Sequence, residues 1–407
     1  MHFKKSLHEI SYSDPLLKPL IFQDDLFRIC SNSAEAQAGN RMIEAIMESK
    51  LLDLNQDKSC YIVIGGKKSV QQMKTALEEN PLYLCGTEMK EKVCDKYLGD
   101  YVHSMGTQAS VFCTVSNRAG GISNCIKESR AIIDDCRVNS VGGLVAGIDI
   151  WELAILPSLL NNCQTWINIG KDSLDMLEDL QNKMYRTLLS VPKTCPLPSL
   201  CWDMGGVQMK FRIILKKLEF IWHLVNLEDG TLAKEVMTIQ KMQKLPGLVK
   251  ECIVWIEECK LPDVFAQEMS RNQWKKAVKT VIMKENESTL KTKMLKYEKL
   301  KNSDMIQEEF GIKPYLQNLT VHSARTIFKK RSSMTRYVKM NYMSDARNIK
   351  TAWQCDSCQS SVDSMGHVLC CPSYAQLRAD KDLDCDADLA KYLHDVFLIR
   401  SKLNIDM

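Results

Sequence analysis

Apolar and polar residues alternate in two different ways along the chain. Over residues 20–106, short apolar runs such as LIF, YIVIG and YLGDYV flank a stretch with helical periodicity at residues 34–52. Short runs bounded by turn residues are typical of strands, so this region is predicted to contain strand, helix, strand and hairpin. From Ile122 onward, apolar residues recur at helical spacing, which predicts a mostly helical middle. These helices are expected to end at the turn residues that interrupt the pattern: residues 192–198, Gly205-Gly206, Pro246-Gly247 and Pro262.

One of these helical segments, MKFRIILKKLEFIWHL at residues 209–224, combines lysines and an arginine with an apolar stripe. Such a helix could lay its basic side along a nucleic-acid duplex, but an amphipathic core helix explains the same pattern and is the favoured interpretation. A second segment, residues 273–309, is dominated by Lys and Glu beside an intermittent apolar stripe. Four tryptophans are expected in the core: Trp151, Trp166, Trp202 and Trp222.

Composition sets broad limits on the kind of protein. At 407 residues with 45% apolar residues, the chain is long enough for two or three folded domains. A net charge of +4 is too small to argue for nucleic acid, so such a role must rest on local clusters. The 17 cysteines lack the spacing of a secreted disulfide scaffold, which favours an intracellular protein of the nucleus or cytoplasm. Neither a secretion signal nor a membrane-spanning segment is predicted.

The segment CDSCQSSVDSMGHVLCCP has the spacing of a zinc knuckle. Cys355 and Cys358 stand two residues apart, and His367 and Cys371 follow downstream. One tight turn can present the first two thiolates to one ion, and four such ligands suit tetrahedral Zn²⁺. A closed set of four ligands indicates a structural role. The alternative is that a cysteine-rich chain contains C-x-x-C by chance.

Two details of this segment need a choice. Cys370 competes with Cys371 for the fourth ligand position, and Cys371 is favoured because a four-residue step from His367 places both on one face of a helical turn. Pro372 would then end that turn. Asp356 and Asp363 are expected to be solvated turn residues, because thiolates and imidazole already complete the tetrahedron.

A pair of carboxylates, Asp24 and Asp25, lies between two apolar triplets in LKPLIFQDDLFRIC. A β-hairpin would place the pair at its tip. Adjacent carboxylates repel each other unless a cation neutralises them, and Mg²⁺ takes oxygen ligands of this kind in two-metal phosphoryl transfer. An ordinary polar turn remains the alternative, since Asp134-Asp135 forms the same dipeptide in a helix-like context.

Residues 324–350 form a basic segment in which eight basic residues stand against one acid, Asp345. Aromatic residues alternate with the basic ones, a pattern that suits phosphate contacts with occasional base stacking. A solvated helix face with a local aromatic core is the alternative. The basic residues are Arg325, Lys329, Lys330, Arg331, Arg336, Lys339, Arg347 and Lys350, and the aromatic residues are Phe328, Tyr337 and Tyr342.

Several of these motifs resemble, in order, those of one family. FQDD at residues 22–25 resembles the catalytic hairpin of reverse transcriptases, and NQDKSC followed by YIVIG is similar to their lysine-bearing turn and strand. KYLGDYVHSMG is similar to the hairpin that grips the primer end. IFKKRSSMTRYVKMNY, the knuckle and CPSYAQLR are similar to the C-terminal region of non-LTR (LINE-type) retrotransposon enzymes. The resemblance covers nearly the whole chain.

This resemblance implies an α+β fold: a truncated polymerase palm over residues 1–114, a mostly helical thumb and connector over 115–323, the basic segment at 324–350, and a small zinc-binding segment at 351–407 that consists of the zinc knuckle and a C-terminal helix. It implies an RNA-directed DNA polymerase that uses Mg²⁺ and Zn²⁺ and binds an RNA template and a DNA primer. Asp24 and Asp25 would bind Mg²⁺ and Lys58 would protonate the pyrophosphate. Residues implied to contact nucleic acid are Tyr97, Leu98 and Gly99, together with Arg325, Lys329, Lys330, Arg331, Arg336 and Lys339 of the basic segment.

The family's polymerases also need a carboxylate from an earlier palm strand and the fingers that hold the template. Neither is recognisable in the sequence, so we expect the chain not to polymerise DNA alone. The alternative hypothesis is a non-enzymatic nucleic-acid-binding zinc protein derived from a retroelement. A protein-interaction scaffold built on the helical middle would explain neither the knuckle nor the ordered motifs.

Overall fold

The computed structural model describes residues 20–22, 25–135, 140–266, 269–297, 300, 304–334, 354–355, 357–361 and 363–403. The chain divides into two compact units. The first comprises residues 1–116 with 166–173, and the second comprises 117–165 with 174–407. Helices predominate throughout, and the strands of the described residues are short and lie in the first unit. This mixture of helix and small sheets is compatible with the α+β class.

The first unit begins with a hairpin and then alternates helices with short strands. Its elements are β1 (Leu20–Phe22), β2 (Asp25–Phe27), α1 (Ser33–Ser49), β3 (Cys60–Tyr61), α2 (Lys67–Glu79), β4 (Tyr83–Leu84), β5 (Thr87–Glu88), β6 (Lys90–Glu91), β7 (Cys94–Tyr97) and β8 (Asp100–His103). The next helix, α3 (Thr107–Asp135), begins in this unit and ends in the second.

The strands of the described residues pair two by two. β1 pairs with β2, β4 with β5 and β7 with β8 in antiparallel fashion, whereas β3 and β6 run parallel. They form four separate two-stranded sheets and do not join into one larger sheet within this part of the chain. The palm architecture implied by the resemblance therefore stays a proposal.

Capping and apolar packing explain where the helices of the first unit lie. The helix predicted at residues 34–52 is α1, which begins one residue earlier because the Asn32 side chain accepts a hydrogen bond from the Glu35 N–H. α2 was not predicted, although its apolar residues recur at the spacing of a buried helical face. One of them, Leu77, packs with Val63 and Leu82 in a small core.

The tip of the β7–β8 hairpin is a tight turn at Leu98-Gly99. Tyr97 pairs with Asp100, which leaves two residues to reverse the chain. Both have positive φ, 50° at Leu98 and 90° at Gly99. Two central residues with positive φ match the twist of a hairpin, and glycine adopts that conformation without strain. The predicted hairpin at this position is confirmed.

The second unit consists of helices joined by short turns. Its elements are α4 (Gly143–Asp149), a π-helix (Ile150–Ile155), α5 (Leu156–Leu159), α6 (Lys171–Leu189), α7 (Leu197–Asp203), α8 (Met209–Val225), α9 (Leu232–Met242), α10 (Leu248–Glu258), α11 (Arg271–Met294), α12 (Pro314–Asn318), α13 (Val321–Arg331), α14 (Met365–Cys370), α15 (Ala375–Arg378) and α16 (Asp386–Leu403). The first residues of α6 belong to the other unit.

The turn residues singled out in the sequence do separate these helices. Residues 192–198 lie at the junction of α6 and α7, and Gly205-Gly206 lies between α7 and α8. Pro246-Gly247 directly precedes α10, and Pro262 follows its end. The mostly helical middle is therefore confirmed, although α3 begins at Thr107 and thus well before Ile122.

α8 is a core helix, as the favoured interpretation of its pattern holds. Most of its apolar side chains are buried, and even Lys217 is only 6% exposed. The Lys217 ammonium lies 2.5 Å from the Glu251 carboxylate, and Arg212 binds both oxygens of Glu152. These basic side chains are therefore engaged inside the unit. The four tryptophans expected in the core are all buried.

α11 packs antiparallel to α8 along a stripe of buried residues that recur every fourth position. Near its start, the Trp274 ring lies 4.8 Å from the Trp222 ring near the end of α8. Further along, the side-chain Oδ1 of Asn286 accepts a hydrogen bond from the backbone N–H of Gln208, which precedes α8. The buried residues of α11 are Trp274, Val278, Ile282, Asn286, Leu290 and Met294.

Candidate metal centre and nucleic-acid interface

The predicted zinc ligands lie together in the second unit, at the turn and helix that precede α15. Cys355 and Cys358 lie on a tight turn, in which the Gln359 N–H donates to the Cys355 carbonyl over 2.8 Å. His367 lies in α14, whose first turn is capped by the Ser364 hydroxyl accepting from the His367 N–H. Cys371 directly follows α14.

The four ligand atoms have a spacing that one metal ion can bridge. All of them lie within 4.8 Å of one another. The sulfurs of Cys355 and Cys371 are 4.0 Å apart, and Cys358 Sγ is 3.1 Å from His367 Nε2. Tetrahedral zinc would require about 3.8 Å between two sulfurs and about 3.6 Å between sulfur and nitrogen. Shifts of up to about one ångström would therefore complete the site.

Burial separates the two competing cysteines. Cys371 is fully buried and belongs to the cluster, as does the buried Cys355. Cys370 is exposed and its thiol donates to the Gly366 carbonyl inside α14. The structure thus places Cys371, the favoured choice, with the other three ligands.

Two of the thiols have pKa values that are shifted in opposite directions. Burial of Cys358 opposes its ionisation, but hydrogen bonds from Ser360, Cys371 and His367 outweigh this effect and lower the pKa of the Cys358 thiol to about 6. Burial raises the pKa of the Cys371 thiol to about 11. A thiolate is the form that binds metal.

Asp363 is not a solvated turn residue, and that expectation was wrong. Its side chain is only 2% exposed and lies 2.7 Å from the guanidinium of Arg400. Arg400 comes from α16, which packs against this segment and supplies the counter-charge that allows a carboxylate to be buried. Asp356 lies outside the described residues.

In the first unit, the motifs assigned to the palm occur on two hairpins and a turn. β1 and β2 form the predicted hairpin, with Phe22 opposite Asp25. Asp24 lies outside the described residues. Of the carboxylate pair, the structure places the backbone of Asp25, at the start of β2. The exposed Lys58 ends a short 3-10 helix, Gln56–Lys58, immediately before β3.

The β1–β2 and β7–β8 hairpins meet through an aromatic contact. The Phe27 ring of β2 lies 4.9 Å from the Tyr97 ring, which directly precedes Leu98-Gly99. The carboxylate hairpin and the hairpin assigned to the primer end therefore lie side by side within the unit. Lys58 lies in the same unit.

The basic segment begins on α13, where the structure describes four of the residues assigned to nucleic acid. Ala324, Ile327 and Phe328 face the core, and Phe328 is fully buried. Lys329 and Lys330 are half-buried at the last turn of the helix. Arg336, Lys339, Arg347 and Lys350, as well as Tyr337 and Tyr342, lie outside the described residues.

The two arginines of α13 already have partners inside the second unit. Arg325 Nε donates to the Leu188 carbonyl over 2.7 Å. Arg331 binds the carboxylates of Asp203 and Glu308. Both arginines therefore help to hold segments of the second unit together.

Sequence reasoning missed the residues of α16 that support the Cys355, Cys358, His367 and Cys371 group, here called the metal cluster, although they lie far from it in the sequence. Tyr392 of α16 donates to the Val368 carbonyl in α14, and Arg400 contacts Cys355, Asp363 and Tyr374. The available signal was the spacing in α16, where Tyr392, Val396 and Arg400 recur every fourth residue and so share one helix face.

Comparison of the chain with protein-family models, with curated proteins and with solved structures found no match. In the part of the chain that the structure describes, no helix has both the length and the hydrophobicity needed to cross a bilayer. The functional assignment therefore rests on the residues themselves and on their geometry.

Proposed function

We propose that this chain is part of an RNA-directed DNA polymerase of a non-LTR retrotransposon, in which a zinc-stabilised C-terminal segment binds nucleic acid. The observation that carries the proposal is the group of Cys355, Cys358, His367 and Cys371, whose ligand atoms lie within 4.8 Å of one another. Three thiolates and one imidazole suit Zn²⁺ better than a hard cation such as Mg²⁺.

The zinc would have a structural role. All four tetrahedral positions are supplied by the protein, so no position is open for water or substrate. Two of the ligands are fully buried, and the cluster lies under α16. Zinc would hold the turn at Cys355 against α14, at the end of the chain that also carries the basic segment.

Support for the polymerase part comes from the first unit. The hairpin that carries Asp25 contacts the hairpin that carries Tyr97, and these are the two elements that the resemblance assigns to metal binding and to the primer end. Mg²⁺ held by Asp24 and Asp25 would supply the charge stabilisation that phosphoryl transfer needs. Lys58 would protonate the leaving pyrophosphate.

The second candidate is a non-enzymatic nucleic-acid-binding zinc protein of the same ancestry. The metal cluster supports this candidate without any catalytic palm, because a closed ligand set contributes folding free energy and no chemistry. The two candidates share nucleic-acid binding and differ in nucleotide addition.

The shared property is tested by measuring single-stranded RNA binding as a function of salt, for the wild type and for the Lys329→Gln, Lys330→Gln double variant. Each phosphate contact removed should flatten the plot of log affinity against log salt by about 0.7. The matched control is Lys276→Gln, Lys279→Gln, which removes the same charge from exposed positions on α11. Equal slopes for both double variants would contradict a role for the α13 lysines.

Primer extension separates the two candidates. The full chain is incubated with Mg²⁺, an RNA template and a DNA primer, beside the Asp24→Asn, Asp25→Asn variant. Extension that this variant loses would support the polymerase and overturn the expectation that the chain is inactive alone. Binding without extension would support the non-enzymatic protein.

A further inference from the structure

Arg400 of α16 makes three different contacts around the metal cluster. Its Nη1 lies 2.7 Å from Asp363 Oδ1, its Nε lies 3.0 Å from the Tyr374 hydroxyl, and its Nη2 lies 3.4 Å from Cys355 Sγ. All three nitrogens of the guanidinium are therefore used. The side chain is only 7% exposed, so the contacts form away from bulk water.

The neighbours of Arg400 are themselves tied to the cluster. The Tyr374 hydroxyl also bonds the Ser357 hydroxyl, which lies on the turn between Cys355 and Cys358. The guanidinium carbon lies 5.5 Å from the centroid of the Tyr374 ring. Arg400 is thus held in one position by Asp363 and Tyr374 while it points a donor at the sulfur of a ligand.

Charge explains why a cation belongs at this position. Zn²⁺ bound by three thiolates carries an excess negative charge, which is costly in a buried site. An N–H donor on a ligand sulfur spreads that charge and fixes the direction of the sulfur lone pairs. A buried carboxylate beside the cluster would have the opposite effect, and the Asp363 carboxylate is instead turned to the guanidinium.

A second contact of α16 fixes the position of Arg400 relative to the metal cluster. The Tyr392 hydroxyl donates to the Val368 carbonyl over 2.5 Å and accepts from Arg378, whose guanidinium also donates to the Cys371 carbonyl. Tyr392 and Arg400 are eight positions apart and lie on the same buried face. α16 therefore contacts the ligand Cys355 through Arg400 and, through Tyr392, the segment between His367 and Cys371.

We propose that Arg400 is a positioning residue of the metal site, whose hydrogen bond to Cys355 makes retention of the metal dependent on the docking of α16. The inference rests on the metal site of the proposed function. It does not depend on whether the chain binds nucleic acid or extends a primer. Lysine would not replace the arginine, because a single ammonium cannot reach the sulfur, the carboxylate and the hydroxyl at once.

Co²⁺ substitution tests the inference on the full chain. The sulfur-to-cobalt charge-transfer and d–d absorption bands are recorded for the wild type, Arg400→Met and Arg400→Lys, and zinc affinity is measured by competition with a chromophoric chelator. We expect both variants to bind zinc about 10–100-fold more weakly and to shift the cobalt bands, because Cys355 Sγ loses its donor. The matched control, Lys391→Met, removes a positive charge from an exposed position on the same helix and should leave both readouts unchanged.

The outcomes separate failure of the inference from failure of the site. If the wild type takes up cobalt and Arg400→Met has the same spectrum and affinity, Arg400 has no positioning role and the inference is overturned. If the wild type takes up neither metal, the site itself is refuted and the inference with it. If Arg400→Met does not fold, Asp363→Asn is used instead, since it keeps the side-chain shape but releases the guanidinium. An unshifted spectrum in that variant also overturns the inference.

Discussion

The guanidinium of Arg331 binds the carboxylate of Asp203, with 2.9 Å between Arg331 Nε and Asp203 Oδ2. Asp203 is fully buried at the end of α7 and also accepts from the Tyr315 hydroxyl over 2.8 Å. Glu308 binds the other side of the same guanidinium. Arg331 therefore connects three segments of the second unit, whatever its part in binding nucleic acid.

Asp203→Asn should lower the free energy of unfolding by about 3 kcal/mol, because it leaves the largely buried guanidinium of Arg331 with one carboxylate fewer. Urea denaturation followed by circular dichroism measures the change. Asp229→Asn is the control: Asp229 is 94% exposed and pairs with Lys234, and its loss should have no measurable effect. A change below about 0.5 kcal/mol for Asp203→Asn would show that the network contributes little.

Cys371→Ser should abolish binding of zinc, whereas Cys370→Ser should leave it intact. The first thiol is buried in the cluster and the second is exposed on α14. Metal content per chain, measured by mass spectrometry after dialysis, should be one for the wild type and Cys370→Ser and near zero for Cys371→Ser. The melting temperature should fall only in the variant that loses metal. A reversed pattern would assign the fourth ligand to Cys370.

His322 and His394 should make the second unit less stable in mild acid. Their ring nitrogens lie 3.1 Å apart between α13 and α16. Loss of water around the ring lowers the pKa of His322, and His394, Lys329 and Arg325 lower it further. The folded state thus binds fewer protons than the unfolded state, so stability falls as the pH drops through the ordinary histidine value of 6.5.

The corresponding measurement is the melting temperature of the zinc-loaded chain between about pH 7.5 and about pH 5.5. His322→Gln and His394→Gln should each flatten the decline relative to the wild type, because either change removes the pair. The decline that remains in both variants belongs to other groups, including the metal ligands. A decline as steep as that of the wild type in both variants would contradict the prediction.

Phe27 and Tyr97 should be energetically coupled, since their rings meet at 4.9 Å between the β1–β2 and β7–β8 hairpins. A double-mutant cycle with Phe27→Leu and Tyr97→Leu should give an interaction energy of about 0.5–1.5 kcal/mol. The control cycle pairs Phe27→Leu with Tyr83→Leu at the exposed position of β4, where the effects should add. Additivity in the first cycle would mean that the two hairpins are held together by other contacts.

The ligands of the metal cluster could be predicted from the sequence because their geometry is local. A turn presents Cys355 and Cys358, and one helical turn carries His367 to Cys371. Arg400 could not be predicted in the same way, because it reaches Cys355 across 45 residues and only the docking of α16 brings them together. The wrong expectation for Asp363 has the same cause, since its partner lies on that distant helix.

The fold shows a similar division. The breaks between helices at Gly205-Gly206 and Pro246-Gly247 could be predicted, because glycine and proline interrupt helices wherever they occur together in a sequence. The strands were harder, because pairs as short as Cys60–Tyr61 with Lys90–Glu91 have too few residues to show alternation. α2 was missed although its apolar spacing was present. The roles of Arg325 and Arg331 depend on carbonyl and carboxylate partners that no local pattern indicates.

The antiparallel contact between α8 and α11 fixes the number of residues that α11 can have between its two contact points. Trp274 meets Trp222 at one end, and Asn286 meets Gln208 at the other. Deleting one residue between Trp274 and Asn286 would shorten the span by about 1.5 Å and rotate one contact by about 100° relative to the other. Both contacts could not then form at once, so this stretch of α11 should tolerate substitutions on its exposed face far better than any change in its number of residues.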